Sequence, residues 1–179
     1  MSEPTSRRVY TGRVISLDVD TVSFSNGTVG ELEMIRHPGA SAVVPFLDDP
    51  AGADPRIVLI RQYRYATGGY LFEIPAGRLD PAELPEQCAL RELKEETGYS
   101  ATHLSHMTTF WTTPGFTDER IHIYMASGLE EGDSALEADE ILDLHPTPMS
   151  RAVQMINSGE ITDGKSMIGI LLAASRSRS

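Results

Sequence analysis

The sequence predicts an α/β fold, and two patterns carry this prediction. A helical segment at residues 86–97 lies between runs of alternating apolar residues that are typical of strands. Two later segments, residues 148–157 and 165–174, each carry an apolar stripe at helical spacing. Strands and helices that share one chain of domain size place it in the α/β class.

The first elements are short antiparallel strands. Leu17 and Val19 share one face of a first strand, and Val22 and Phe24 share a face of a second run. A turn signal at residues 25–27 precedes a further strand. We therefore expect a small antiparallel β unit within residues 1–40, whose first eight residues are polar and are expected to be mobile.

The main domain is expected to cover residues 41–174. Its predicted strands are residues 42–46, 56–63, 70–74, 104–111 and 120–126. An Asp-, Pro- and Gly-rich loop at residues 48–55 separates the first two of these strands. Residues 175–179 are predicted to be a disordered tail.

Composition excludes several classes of protein. The chain has 179 residues and 40% hydrophobic content, which suits one domain with a full core. A net charge of −11 and a pI near 4.8 argue against non-specific nucleic-acid binding. We find no apolar run near the ~20 residues of a membrane span and no signal-peptide core, so we expect a cytoplasmic protein.

Cys88 is the only cysteine of the chain. An internal disulfide is therefore impossible, which suits a reducing cytoplasm. The sequence offers no clear histidine partner beside Cys88, so we expect a packed thiol rather than a nucleophile.

The helix at residues 86–97 carries an unusual number of acidic side chains. Glu92 and Glu96 are one turn apart on one face with Glu95 beside them, and Arg91 can pair with Glu95 at i, i+4. The opposite side, which we expect to face the core, carries Ala89, Leu90, Leu93 and Thr97. The acidic face is either a solvated surface or a site for a divalent metal, because carboxylate oxygens are the ligands that Mg²⁺ prefers.

The helix and the loop before it match a known family pattern. The fixed positions are Gly77, Glu83, Arg91, Glu92, Glu95, Glu96 and Gly98, with Leu93 at a hydrophobic place. In this respect the chain resembles the Nudix family. Tyr99 stands where the pattern has an aliphatic residue, at a packing position. The resemblance implies an α/β/α sandwich around a mixed β-sheet and a hydrolase that uses Mg²⁺ or Mn²⁺.

Stretches outside this motif resemble the ADP-ribose pyrophosphatase branch of the family. They are His37-Pro38-Gly39-Ala40, Arg61-Gln62-Tyr63-Arg64, Glu73-Ile74-Pro75-Ala76-Gly77, Thr113-Pro114-Gly115-Phe116 and the segments at residues 137–140 and 159–165. Pro114 occupies the position of a proline that marks the branch. Ala82 departs from the glycine common there, which implies a tightened loop. The implied reaction is hydrolysis of ADP-ribose to AMP and ribose 5-phosphate.

The resemblance also implies a ligand set for the metal. Glu92, Glu96 and the backbone carbonyl of Ala76 would bind a cation, and Glu95 would share a bridging ion. Arg91 would orient Glu95, because loosely held ligands bind metal poorly. Glu83 would support the loop or bind a further metal.

The general base is expected in an acidic loop after the helix. We place Glu140 first, Glu137 second and Glu95 of the helix third. Alternatively, Glu137 and Glu140 have no catalytic role and belong to a solvated acidic loop, as is common in an acidic protein.

Substrate contacts are predicted for Arg61, Arg64, Glu73, Pro114 and Phe116, with the two arginines reaching phosphate or ribose oxygens. The arginines suit bidentate contacts to phosphate, although Arg64 could equally be a surface residue. Candidates for stacking on adenine are Tyr63, Trp111 and Phe116, although aromatic residues in strands more often belong to the core. The N-terminal unit resembles the part that related enzymes use to form a homodimer, in which Arg36 or Val9 of the other chain would reach the pocket.

Two other functions stay open. One is hydrolysis of a different nucleotide sugar, such as GDP-mannose or ADP-glucose. The other is a non-catalytic ADP-ribose sensor, although such sensors usually lose the acidic residues that this chain keeps and carry a DNA-binding domain.

Overall fold

The computed structural model describes residues 5–132 and 142–176. The strands in these ranges are β1 (Thr5–Thr11), β2 (Ser16–Ser23), β3 (Val29–Arg36), β4 (Ala40–Pro45), β5 (Arg56–Arg64), β6 (Gly69–Glu73), β7 (Ala76–Arg78), β8 (Tyr99–Trp111), β9 (Arg120–Glu131) and β10 (Leu142–Pro148). The helices are α1 (Pro85–Thr97), α2 (Met149–Asn157) and α3 (Gly164–Arg176). No helix in these two ranges is both long enough and apolar enough to cross a membrane.

The chain separates into two compact units. The first contains residues Met1–Gly39 and Phe110–Ile121. Its sheet has the order β1-β2-β3, and both strand pairs are antiparallel. This confirms the predicted N-terminal antiparallel strands. The structure adds the distant segment Phe110–Ile121, where Ile35 donates a backbone hydrogen bond of 2.8 Å to Phe116.

The second unit contains residues Ala40–Thr109 and His122–Ser179. One sheet has the order β10-β5-β6 with antiparallel pairs, and another has the order β7-β4-β9-β8. Strands β8 and β9 contribute residues to both units. In the second unit, β7 pairs with β4 so that Gly77 faces Ser41, which places the loop before α1 at the sheet edge.

Helices cover both faces of the sheet that contains β4. Val43 packs in one core cluster with Ala89 and Leu93 of α1. The next residue, Val44, packs against Gly169 of α3. Because successive side chains of a strand point to opposite faces, α1 and α3 lie on opposite sides of β4. The predicted α/β/α arrangement is confirmed.

Several details differ from the sequence expectations. Residues 5–8 belong to β1, because their backbone pairs with β2 although their side chains are polar and exposed. Residues 16–23 form one strand rather than parts of two. Strands β7 and β10 were not predicted, since β7 is very short and β10 holds two prolines. Helix α3 continues to Arg176, and Leu90 of α1 is exposed rather than in the core.

Candidate active site

The ends of α1 fix which side chains reach the sheet edge. Pro85 occupies the first turn, where its missing N–H costs little. The backbone N–H of Leu84 donates to Oε1 of Gln87 over 3.1 Å, which satisfies one group at the helix start. Gly98 ends the helix with φ of 76°, a left-handed conformation that glycine adopts without a Cβ penalty.

Two acidic side chains of α1 are buried at β7. Glu92 is 8% exposed and Glu96 is 3% exposed. The backbone N–H of Ala76 donates to Oε2 of Glu96 over 2.9 Å. A Cβ at Gly77 would lie 1.8 Å from Oε1 of Glu92, so this carboxylate lies against the glycine backbone. For these two residues, the interpretation as a solvated acidic face is wrong.

Arg91 connects the acidic residues to one another. Its Nη1 donates to Glu92 over 2.7 Å and to Glu95 over 2.9 Å, which includes the i, i+4 pair expected from the sequence. Its Nε and Nη2 bind the two oxygens of Glu83 over 2.8 and 3.0 Å. Nη2 also donates to the carbonyl of Arg78 over 3.1 Å. One guanidinium therefore joins the loop before α1 to three carboxylates.

This arrangement shifts the pKa values of the groups around Arg91. The hydrogen bond from Arg91 lowers the pKa of Glu83 to about 2. The same hydrogen bond raises the pKa of Arg91, so the guanidinium stays charged. Burial, with the charges of Glu83 and Glu92, raises the pKa of Cys88 to about 12. Cys88 is fully buried, as expected for a packed thiol.

Of the predicted substrate-binding residues, Glu73 and Arg64 form one ion pair. Glu73 is 1% exposed at the end of β6, and Arg64 binds it with Nε over 2.7 Å and Nη2 over 2.9 Å. Lys165 of α3 binds the same carboxylate. Burial would raise the pKa of Glu73, but its bonds to Arg64 and Lys165 outweigh burial and lower it.

Arg61 lies among aromatic side chains of β5 and β6. Its guanidinium carbon is 4.3 Å from the centre of the Tyr70 ring, a cation–π distance. The rings of Tyr63 and Tyr70 meet edge to face at 5.5 Å. Tyr63 and Tyr70 are about half exposed, so this group of side chains is accessible.

Pro114 and Phe116 belong to the first unit. Both are exposed in the turn between β8 and β9, and the backbone N–H of Phe116 donates to Thr113 over 3.2 Å. Trp111 is also exposed there, with Arg120 5.1 Å from its ring centre. The aromatic candidates in this unit are therefore surface residues rather than core.

Glu137 and Glu140, the first two candidates for the general base, lie outside the described residues. Glu95 is described, and its carboxylate is paired with Arg91.

The donors at β7 fit a divalent cation held partly by its substrate. Within residues 5–132 and 142–176, no three acidic, histidine or cysteine side chains form a complete ligand set. Two buried carboxylates converge on Ala76 and Gly77, with Glu95 at the rim. Mg²⁺ is usually bound by one or two carboxylates together with water and substrate phosphates, so this donor set is sufficient.

The structure adds three residues that the sequence did not single out individually. Asp163 caps α3 by accepting from the backbone N–H of Ser166 over 3.0 Å, and it pairs with Lys165 over 3.0 Å. Ser166 accepts from the backbone N–H of Ile74 over 2.8 Å. An aspartate just before a predicted helix is a recognisable cap signal, whereas the partners Glu73 and Ile74 are too distant in sequence to predict.

Comparison with known proteins decides the family. A family model described as the NUDIX domain matches residues 36–162. The chain belongs to the Nudix family. It keeps every fixed residue of the Nudix motif and is a Nudix hydrolase; these enzymes generally need divalent metal ions.

Two curated relatives align over most of their length. The methanol dehydrogenase activator of Bacillus methanolicus is 40% identical over 167 residues, which cover 92% of this chain and 88% of the relative. The ADP-ribose pyrophosphatase of Bacillus subtilis (strain 168) is 37% identical over 165 residues, which cover 91% and 86%.

A solved structure described as an ADP compounds hydrolase superposes with a TM-score of 0.82. The superposition covers 99% of this chain and 96% of that one, at 23% identity. At this level of identity the likeness supports the Nudix fold.

Proposed function

We propose that this Nudix protein hydrolyses the pyrophosphate bond of ADP-ribose to AMP and ribose 5-phosphate. The observation that carries the proposal is the convergence of buried Glu92 and Glu96 on Ala76 and Gly77. The choice of ADP-ribose as substrate is supported by the relative named ADP-ribose pyrophosphatase and by the branch motifs of the sequence.

In this proposal Glu92, Glu96 and the carbonyl of Ala76 would hold Mg²⁺ or Mn²⁺, and Glu95 would share a bridging ion. The cation would neutralise phosphate oxygens and lower the pKa of a water. Arg91 keeps Glu92 and Glu95 in place through its Nη1, and Glu83 in turn fixes the guanidinium. The geometry of Glu83 supports a role in holding the loop.

The reaction adds water across the anhydride. The water oxygen bonds to one phosphorus while the bridging P–O bond breaks, and the water proton passes to a carboxylate. We propose Glu140 as that base, then Glu137, and then Glu95. Glu95 is the third candidate for the base because its carboxylate is already paired with Arg91.

Arg64 and Arg61 are proposed to bind the anionic substrate. Glu73 holds Nε and Nη2 of Arg64, so the pair leaves Nη1 as the end that can point towards a ligand. The burial of Glu73 favours a supporting role over the direct contact expected from the sequence. Pro114 and Phe116 remain proposed contacts, supported by the exposure of Phe116.

We also propose a cytoplasmic homodimer formed through the N-terminal strands. Every residue of β1 is exposed, including Val9 at 51% and Tyr10 at 58%, and β1 is an edge strand. Exposed edge strands with apolar side chains favour pairing with another chain. Light scattering coupled to gel filtration tests this: a dimer supports the proposal and a monomer at assay concentration contradicts it.

The substrate is tested with purified protein and a panel of ADP-ribose, ADP-glucose and GDP-mannose, with Mg²⁺ or Mn²⁺ and with a chelator as control. We expect metal-dependent release of AMP and ribose 5-phosphate, with the highest kcat/KM for ADP-ribose. A higher kcat/KM for another nucleotide sugar would contradict the substrate but not the site. The name of the Bacillus methanolicus relative states an effect on a dehydrogenase and does not decide between these substrates.

A further inference from the structure

The first turn of α3 contacts the segment that leads into the proposed metal site. Two contacts reach β6 and the residue after it: Lys165 binds Glu73, and the hydroxyl of Ser166 accepts from the backbone N–H of Ile74 over 2.8 Å. Asp163 holds both contacting residues, since its carboxylate binds Lys165 and accepts from the backbone and the hydroxyl of Ser166. We call Asp163, Lys165 and Ser166 the α3 anchor.

The anchor contacts lie in a largely buried place, where water has little access to replace them. Ser166 and Ile74 are 0% exposed, and the side chain of Lys165 is 12% exposed. A buried carboxylate such as Glu73 is costly unless charged partners and hydrogen bonds satisfy it. Both oxygens of Glu73 are used, one by Nε of Arg64 and the other by Nη2 of Arg64 and by Lys165.

The segment from Glu73 to Ala76 is therefore held from two sides. On one side the α3 anchor fixes Glu73 and Ile74. On the other side the backbone N–H of Ala76 donates to Glu96 of α1 over 2.9 Å. Only Pro75 separates the two attachments, and its ring restricts the backbone further. Movement at the anchor would thus be passed to the backbone that faces Glu92 and Glu96.

We propose that Asp163, Lys165 and Ser166 are positioning residues, which hold Ile74–Ala76 for metal binding and, through Glu73, orient Arg64 towards the substrate. This inference deepens the proposed function and rests on it. The three residues do not touch the reacting atoms. Groups that orient metal ligands from outside commonly change metal affinity or activity 10- to 100-fold when removed.

The test uses full-length Lys165→Met, with Lys94→Met as a matched control, because Lys94 is an exposed lysine of α1. Mn²⁺ binding is measured by calorimetry without substrate, and kcat and KM are measured with ADP-ribose. We expect the Kd for Mn²⁺ to rise about tenfold or more. KM should rise as well, since Arg64 loses its orientation, and Lys94→Met should match the wild type.

Asp163→Asn provides a second variant that is milder, since the side chain of Asp163 is 19% exposed and the new amide can still cap α3. Thermal unfolding of each variant shows whether it is folded under the assay conditions. A merely structural role would lower Tm but leave the Kd for Mn²⁺ and KM of the folded enzyme unchanged, and that result would overturn the inference.

The two proposals fail in different ways. If the wild type binds Mn²⁺ but does not cleave ADP-ribose, the proposed substrate is wrong, and a raised Kd in Lys165→Met still supports the anchor. If the wild type cleaves ADP-ribose and both variants keep its Kd and KM, the anchor proposal alone is overturned.

Discussion

The carboxylate of Glu92 occupies the space in which a side chain at Gly77 would begin. A Cβ at residue 77 would lie 1.8 Å from Oε1 and 2.1 Å from the carboxyl carbon. Glycine is therefore required at position 77 because a proposed metal ligand approaches the backbone closely. A left-handed conformation is not the reason, since Gly77 does not have a positive φ.

Gly77→Ala should displace Glu92 while leaving the fold intact. The clashing atoms are the end of a flexible side chain, so we expect the free energy of unfolding to change by less than about 1 kcal/mol. Turnover should fall about 100-fold because a proposed ligand moves. The matched control is Gly69→Ala, where a Cβ would meet no atom within 4 Å. Wild-type turnover in Gly77→Ala would show that Glu92 is not needed at this place.

Arg91→Lys should impair the enzyme although it keeps the charge. A lysine cannot reproduce the fork by which Arg91 binds Glu83, Glu92 and Glu95 together. We expect a loss of about 2 kcal/mol in the free energy of unfolding, from hydrogen bonds to charged groups, and at least a tenfold fall in kcat. Urea unfolding and steady-state kinetics measure both.

The same substitution at an exposed pair is the control for Arg91→Lys. Arg151 pairs with Glu160 on the surface, with about half of each side chain exposed. Arg151→Lys should change stability by less than about 0.5 kcal/mol. Equal effects of the two substitutions would mean that the bidentate geometry of Arg91 is unimportant.

Ala82→Gly should stabilise the protein. Ala82 has φ of 65°, and among the described residues no other non-glycine has a positive φ. A left-handed conformation destabilises a residue with a Cβ by about 1–2 kcal/mol. Against this, a glycine increases the entropy of the unfolded chain, which lowers the stability of the folded protein by about 0.4–1 kcal/mol. We expect a net gain of about 0.5–1 kcal/mol in urea unfolding. Ala51→Gly in the exposed loop before β5 is the control and should be slightly destabilising. A loss of stability in Ala82→Gly would show that the backbone at Ala82 is not strained.

Acid should remove the stability that Glu83 contributes. The pKa of Glu83 lies at about 2 in the folded protein, against an ordinary value of 4.5. Because the folded pKa is depressed, the contribution is complete above the unfolded pKa and disappears as the pH falls from about 4.5 towards about 2. The free energy of unfolding is measured with urea at about pH 5.5 and at about pH 3. Its decrease between these two pH values should be smaller in Glu83→Gln than in the wild type. Identical losses would rule out this linkage.

The local part of the site could be predicted because helix periodicity governs it. The spacing of Glu92 and Glu96 and the pair of Arg91 with Glu95 depend on neighbours within one turn, and the structure reproduces both. The burial of the two glutamates could not be read from the helix, because the backbone of Ala76 and Gly77 provides it.

The long-range part of the site depends on tertiary contacts that no local pattern encodes. Lys165 meets Glu73 across 92 positions of the chain. Outside the site, Asp54 likewise accepts from the backbone N–H and hydroxyl of Ser150 at the start of α2, across 96 positions. Both lysine and aspartate would have suited an exposed surface equally well, so their partners became visible only in the folded chain.

The proposed role of Glu96 as a metal ligand is tested most directly by AMP release from ADP-ribose, measured for Glu96→Gln beside the wild type at saturating Mg²⁺ and equal concentrations of folded protein. The amide oxygen of the substituted side chain can still accept the hydrogen bond from the backbone N–H of Ala76, so the substitution removes the charge and keeps the contact. We predict that AMP release by Glu96→Gln falls at least about 100-fold with little change in Tm. Release near the wild-type rate would show that the buried carboxylate at Ala76 does not hold the cation used in hydrolysis.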